Sequence, residues 1–182
     1  MNISYRTLSF VALALAHHLG AMAQDTKVYR DPTTKSSFSY PKKWEVKPSR
    51  TQQFRAVVGD KNPVGGSCRL SVRVNSELLN YSDQAALDAT TAKDIEVGAR
   101  SSGNPLTITK FDRTKVSNRP AIYYEAYGTY ESLGIKFNLQ VMAVIVKVQD
   151  RIYELGCSGG AEVMPAVSAQ YFGVLGTLVV SP

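Results

Sequence analysis

The sequence predicts an α+β fold, an antiparallel β-sheet with a C-terminal meander flanked by helices. Three observations carry that reading. The β-rich runs 121–131, 135–148 and 151–158 follow one another with only Ser132-Leu133-Gly134 and Gln149-Asp150 between them, which is hairpin spacing. Cys68, Leu70, Val72 and Val74 alternate with Arg69, Ser71 and Arg73, the period of a half-buried strand. Residues 83–100 and 162–175 read as helices, the first opened by Ser82 as N-cap and Asp83 in its first turn.

Taken from the N-terminus, residues 1–23 have the layout of a cleaved secretory signal. Arg6 supplies a positive start, Leu8 to Ala16 is a short apolar run, and Ala21-Met22-Ala23 is a small-x-small cleavage site. The apolar run is too short to cross a bilayer, and no later stretch approaches the ~20 residues a membrane helix needs. The expected product begins at Gln24, is not membrane-spanning, and resides in a periplasm or is secreted. Residues 24–35 are polar and read as a flexible leader, and 36–182 as a single domain.

Within the domain, 36–40 is a first strand, stopped by Pro41, which lacks a ladder donor. A second begins at Trp44, the only Trp, which is expected to close one end of the core while Lys42 and Lys43 form the exposed turn. Residues 54–59 make a third strand and 67–75 the alternating one. The helix 83–100 ends at Ser101-Ser102-Gly103-Asn104-Pro105. A strand over 106–113, a turn at Ser117-Asn118-Arg119-Pro120, the meander, a helix over 162–175 and a short β end over 177–180 complete the order. The run Met142 to Val146 is apolar on both faces, so the middle meander strand is expected to be covered on both sides.

Charge is unevenly placed. Residues 24–67 hold nine Lys/Arg against four Asp/Glu, and residues 68–182 hold eleven of each. The basic part suits either an anionic surface or a plain solvated face. Cys68 and Cys157, an even pair in an exported chain, are expected to form a disulfide, with two buried thiols as the alternative.

Catalytic chemistry is narrowed by one absence. Both histidines, His17 and His18, lie in the signal segment, which removes a His base, a Ser-His-Asp triad and the usual zinc sites from the remainder. Gly156-Cys157-Ser158-Gly159-Gly160 matches G-x-S-x-G, but that motif needs a strand–turn–helix elbow and a His, so it reads as the end of a strand. No metal site and no cofactor are expected. Tyr123 and Tyr127 share one strand face and Tyr124 and Tyr130 the other. Tyrosines at such positions serve packing or anchor binding surfaces.

The order of elements resembles the PsbP-like fold family, the periplasmic PsbP/DcrB-like proteins of bacteria among them. The resemblance runs from Ser36 to Val180. It rests on Phe38, Tyr40, Pro41 and Trp44 in the first hairpin, on Asn118-Arg119-Pro120-Ala121, and on Tyr153-Glu154-Leu155 followed by Cys157. It implies a PsbP-like α/β/α sandwich and a non-enzymatic accessory protein that binds or stabilises an envelope protein partner. A periplasmic small-ligand carrier is the alternative, and nucleic acid is not an expected partner. The family has no shared catalytic motif, so no residue is carried over. The binding surfaces expected here are the meander face with Tyr123 and Tyr127 and the basic first hairpin with Lys42, Lys43 and Lys47.

Overall fold

The fold is taken from a computed structural model that describes residues 25–47, 54–60, 66–132 and 135–181. The expected signal segment and its cleavage site lie outside these residues. Strands β1 (Thr26–Asp31), β2 (Ser36–Pro41) and β10 (Val179–Val180) form a three-stranded sheet in the order β1-β2-β10. Strands β3 (Glu45–Lys47), β4 (Phe54–Gly59), β5 (Ser67–Val74), β6 (Leu106–Val116), β7 (Arg119–Ser132), β8 (Ile135–Val148) and β9 (Arg151–Gly160) form a seven-stranded sheet. Its order is β3-β4-β5-β9-β8-β7-β6, antiparallel throughout. Helices α1 (Asp83–Ala89), α2 (Ala92–Ser101) and α3 (Met164–Gly176) cover it from both sides. The protein is α+β, as its sequence pattern predicts.

Side-chain alternation splits the core into two layers. On one face, Leu70, Val144, Tyr153 and Leu155 of the large sheet pack against α3 and against Phe38 and Tyr40 of the small sheet. On the other, Ile122, Tyr124, Ala143 and Ile145 pack beneath Leu87 of α1 and Ile95 of α2. Strand β8 serves both layers, and every residue from Met142 to Val148 is buried. Trp44 is 1% exposed and stands edge-on to Tyr171 of α3, with ring centroids 5.9 Å apart. Pro41 ends β2, its carbonyl accepts from the Trp44 N–H at 2.9 Å, and that tight turn drops the indole into the core.

Cys68 and Cys157 face each other across the β5–β9 ladder and are joined by a disulfide, both fully buried. The bond crosses 89 positions of sequence between two neighbouring strands.

Two local expectations are revised. Part of the segment read as a flexible leader is strand β1, paired along its length with β2. Tyr29 packs on Phe38 with centroids 5.5 Å apart, and the buried Asp31 carboxylate accepts from the Thr33 N–H at 2.8 Å and Thr34 N–H at 3.3 Å, which reverses the chain into β2. The single helix expected over 83–100 is two. Thr91 and Asp94 form a capping box that opens α2. The Arg113 guanidinium of β6 donates to the carbonyls of Leu87, Asp88 and Thr90, taking the last carbonyls of α1 and ending it.

The β6–β7 hairpin turns on Ser117 and Asn118, with φ of 49° and 63°. Two successive left-handed residues match the right-handed twist of the strands, and Asn tolerates that conformation better than most residues.

Candidate functional site

The two tyrosines proposed from sequence have different fates. Tyr123 is 6% exposed. Phe172 of α3 stands edge-on to its ring at 5.7 Å, the Lys110 ammonium lies 5.3 Å from the ring centroid, and its hydroxyl donates to Glu125 Oε1 at 2.8 Å. Burial first, and the Glu125 carboxylate second, push its pKa well above the ordinary phenol range. Tyr123 therefore holds α3 to the sheet. Tyr127, on the same strand, is 45% exposed because α3 does not reach it.

Tyr127 lines an open cleft of about 390 Å³ at the far end of the meander, with Arg100, Pro105, Leu106, Thr107, Gly128, Thr129 and Asn138. Thr107 pairs with Tyr127 and Asn138 with Thr129 across the ladders, so an aromatic ring, two hydroxyls and an amide converge. Arg100, the last basic residue of α2, adds a cation. Gly128 is required there, since a Cβ would lie 2.7 Å from Leu106 Cδ2 and 2.9 Å from the Pro105 carbonyl. The cleft lies at the rim of the sheet and not between sheet and helix, where a carrier pocket would be sought. The individual polar residues gave no signal in the sequence, because only the strand register and the 102–105 turn bring them together.

The lysines of the first hairpin do not join this site. Lys42 is exposed and sits 3.8 Å from Asp25, Lys43 is exposed, and Lys47 donates to the Asp60 carbonyl at 2.6 Å. Five strand-to-strand steps separate β3 from β7, about 24 Å at the usual spacing. Arg69 and Arg73 are engaged too, the first over the Phe54 ring at 5.4 Å and the second 3.5 Å from Glu154.

The G-x-S-x-G sequence runs inside β9, antiparallel to both neighbours, with Ser158 opposite Ser67 and Val141. The Ser158 carbonyl accepts from the Tyr171 hydroxyl at 3.3 Å. No elbow is formed at this sequence. Among the described residues no cluster of three or more His, Cys, Asp or Glu could hold a metal ion, and no helix is long and apolar enough to cross a membrane.

With β5-β9-β8-β7-β6 forming the meander sheet, helices on both faces and the Trp-closed first hairpin, comparison with solved structures is decisive for architecture. The solution structure of cyanobacterial PsbP (CyanoP) from Synechocystis sp. PCC 6803 superposes with a TM-score of 0.60, covering 89% of this chain and 96% of that one at 13% identity. The fold is PsbP-like. A crystal structure from Bacteroides thetaiotaomicron VPI-5482 superposes at 0.53 and 14% identity over 86% of this chain, which spans 48% of that protein. No family model matches the sequence, and no curated protein matches it. At these identities the PsbP-like likeness concerns the fold alone.

Proposed function

We propose that this PsbP-like chain is a non-enzymatic accessory protein of the periplasm, or a secreted one, that binds or stabilises an envelope protein through the Tyr127 end of its meander. The observation that carries the reading is the half-exposed Tyr127, set on a strand among the polar side chains of Arg100, Thr107, Thr129 and Asn138. A rigid aromatic with a polar tip is the residue type that anchors protein interfaces. The buried disulfide supports an oxidising compartment. The lack of histidine after His18 and the strand position of Ser158 support a binding role over a hydrolytic one.

The test is chemical cross-linking and affinity capture of the tagged protein from its own envelope, with the Tyr127→Ala variant beside it. One dominant protein partner, depleted at least tenfold by the variant with the melting temperature unchanged, is the expected result. Undiminished capture by the variant refutes the surface. The second reading, a small-ligand carrier, predicts no captured protein but a co-purifying mass in native mass spectrometry.

A further inference from the structure

We propose that the outer face of the three-stranded sheet β1-β2-β10 docks on an anionic lipid surface. This rests on charge and composition, independently of the Tyr127 surface. Residues 24–67 hold nine Lys/Arg against four Asp/Glu, while residues 68–182 balance eleven against eleven. Register defines the face. Val28 and Arg30 of β1 stand opposite Ser39 and Ser37 of β2, and Val179 of β10 also stands opposite Ser37. The alternate residues Phe38, Tyr40 and Val180 are buried beneath. The outer face thus shows Val28, 49% exposed, and Val179, 45% exposed, among serines.

Cations flank it. Arg30 on this face and Lys42 and Lys43 of the adjoining turn are exposed, as is Lys27, which stands opposite Tyr40 on the other side of the edge strand β1. The Lys42 N–H donates to the Asp25 carbonyl at 2.6 Å, which places the Lys42-Lys43 turn at the start of β1. Only Lys42 of the four has an acidic neighbour among the described residues, Asp25, and that pair is exposed and screened. Asp31, the acid of β1, is buried and occupied by the Thr33 and Thr34 N–H groups.

The residue types favour lipid over an acidic protein. Protein interfaces are enriched in aromatics and depleted in Lys and Ser, whereas this face shows serines and no aromatic ring and is bordered by the Lys42-Lys43 turn. Lysine is a flexible point charge that needs no planar partner, which suits a fluid layer of phosphate headgroups. Two small exposed valines at the centre meet the headgroup boundary without requiring a groove.

The experiment is co-sedimentation of the full protein, as purified from its own cells, with vesicles of pure phosphatidylcholine or of phosphatidylcholine with about 30% phosphatidylglycerol. Each cation near an anionic surface strengthens binding about fivefold, and 0.5 M salt screens it. Arg30→Gln/Lys42→Gln/Lys43→Gln should weaken binding to the anionic vesicles about 100-fold. Lys93→Gln/Lys115→Gln/Lys136→Gln, which removes the same charge elsewhere, should weaken it less than threefold. Tyr127→Ala should bind vesicles like the parent, so this proposal and the partner surface fail separately. Equal binding to both vesicles, equal loss in the two triple variants, or patch-dependent capture by polyglutamate without vesicle binding overturns the proposal.

Discussion

Lys147 is the sharpest test of how the fold is held. Its side chain is 2% exposed on β8, and its ammonium donates to the Tyr81 carbonyl and to Asp83 Oδ1, each at 2.9 Å. Asp83 opens α1, also accepts from the Gln149 N–H at 3.2 Å, and lies 3.9 Å from Arg119, with its side chain 31% exposed. The two partners are therefore unequal. Asp83→Ala leaves a buried ammonium with one carbonyl and no counter-charge, and should cost about 3–5 kcal/mol. Lys147→Met keeps the volume, removes the buried charge, and leaves a carboxylate that reaches water, Gln149 and Arg119, so it should cost about 1 kcal/mol or less. At about 2–4 °C per kcal/mol for a chain of this size, Asp83→Ala should melt roughly 6–20 °C lower and Lys147→Met within a few degrees of the parent. The double variant should resemble Lys147→Met, because no buried charge remains to be stranded. Urea unfolding with both single variants and the double closes the cycle. Equal losses for the two single variants, or a double variant as unstable as Asp83→Ala, would refute the argument that desolvation of Lys147 dominates.

Other outcomes follow from the same packing. Loss of the disulfide in Cys68→Ala/Cys157→Ala should lower the unfolding free energy by about 4–5 kcal/mol, from the chain entropy of an 89-position closure, and no thiol should react in denaturant until reductant is added. Two reactive thiols in denaturant alone would contradict the bond. Gly66 has φ of +74°, and a Cβ there would overlap the Tyr171 hydroxyl and sit 2.7 Å from the Ser158 carbonyl, so Gly66→Ala should cost about 2–4 kcal/mol. Adding Tyr171→Phe should recover part of that loss, and strict additivity would show that the clash is elsewhere. Burial, with Asp60 adding to it, pushes the Tyr171 phenol up to about 12, and burial with Glu154 also holds Tyr124 well above the ordinary phenol value. Unfolded tyrosines ionise near pH 10, so the unfolded chain releases protons that the folded one retains. Stability from Tyr171 is complete below about pH 10 and is lost as pH rises through about 12. The melting temperature should therefore fall above pH 10, less steeply in Tyr171→Phe, and parallel curves would refute the assignment.

The sequence by itself determined the elements whose signal is local. Alternation from Cys68 to Val74, the paired hairpins of the meander, Trp44 behind Pro41 and the two-sided apolar run of β8 are each set by neighbours a few positions away, and each is found where its pattern places it. The same local rules left β1 among loops, because a short polar strand is defined by Phe38 and Ser39 across the ladder and not by its own period. They joined α1 to α2, because the group that ends α1 is Arg113, more than twenty positions away, and a guanidinium on a strand carries no sequence mark of the carbonyls it will meet. Pairing of Cys68 with Cys157 was legible as a possibility, and the β5–β9 register decided it. Tyr123 and Tyr127 were indistinguishable as letters two pleats apart. Tertiary structure alone separated them, since α3 lays Phe172 over the first and stops short of the second, and the same packing gathers Arg100, Thr107, Thr129 and Asn138 around Tyr127. Burial and convergence are properties of where distant elements meet, and no local period encodes them.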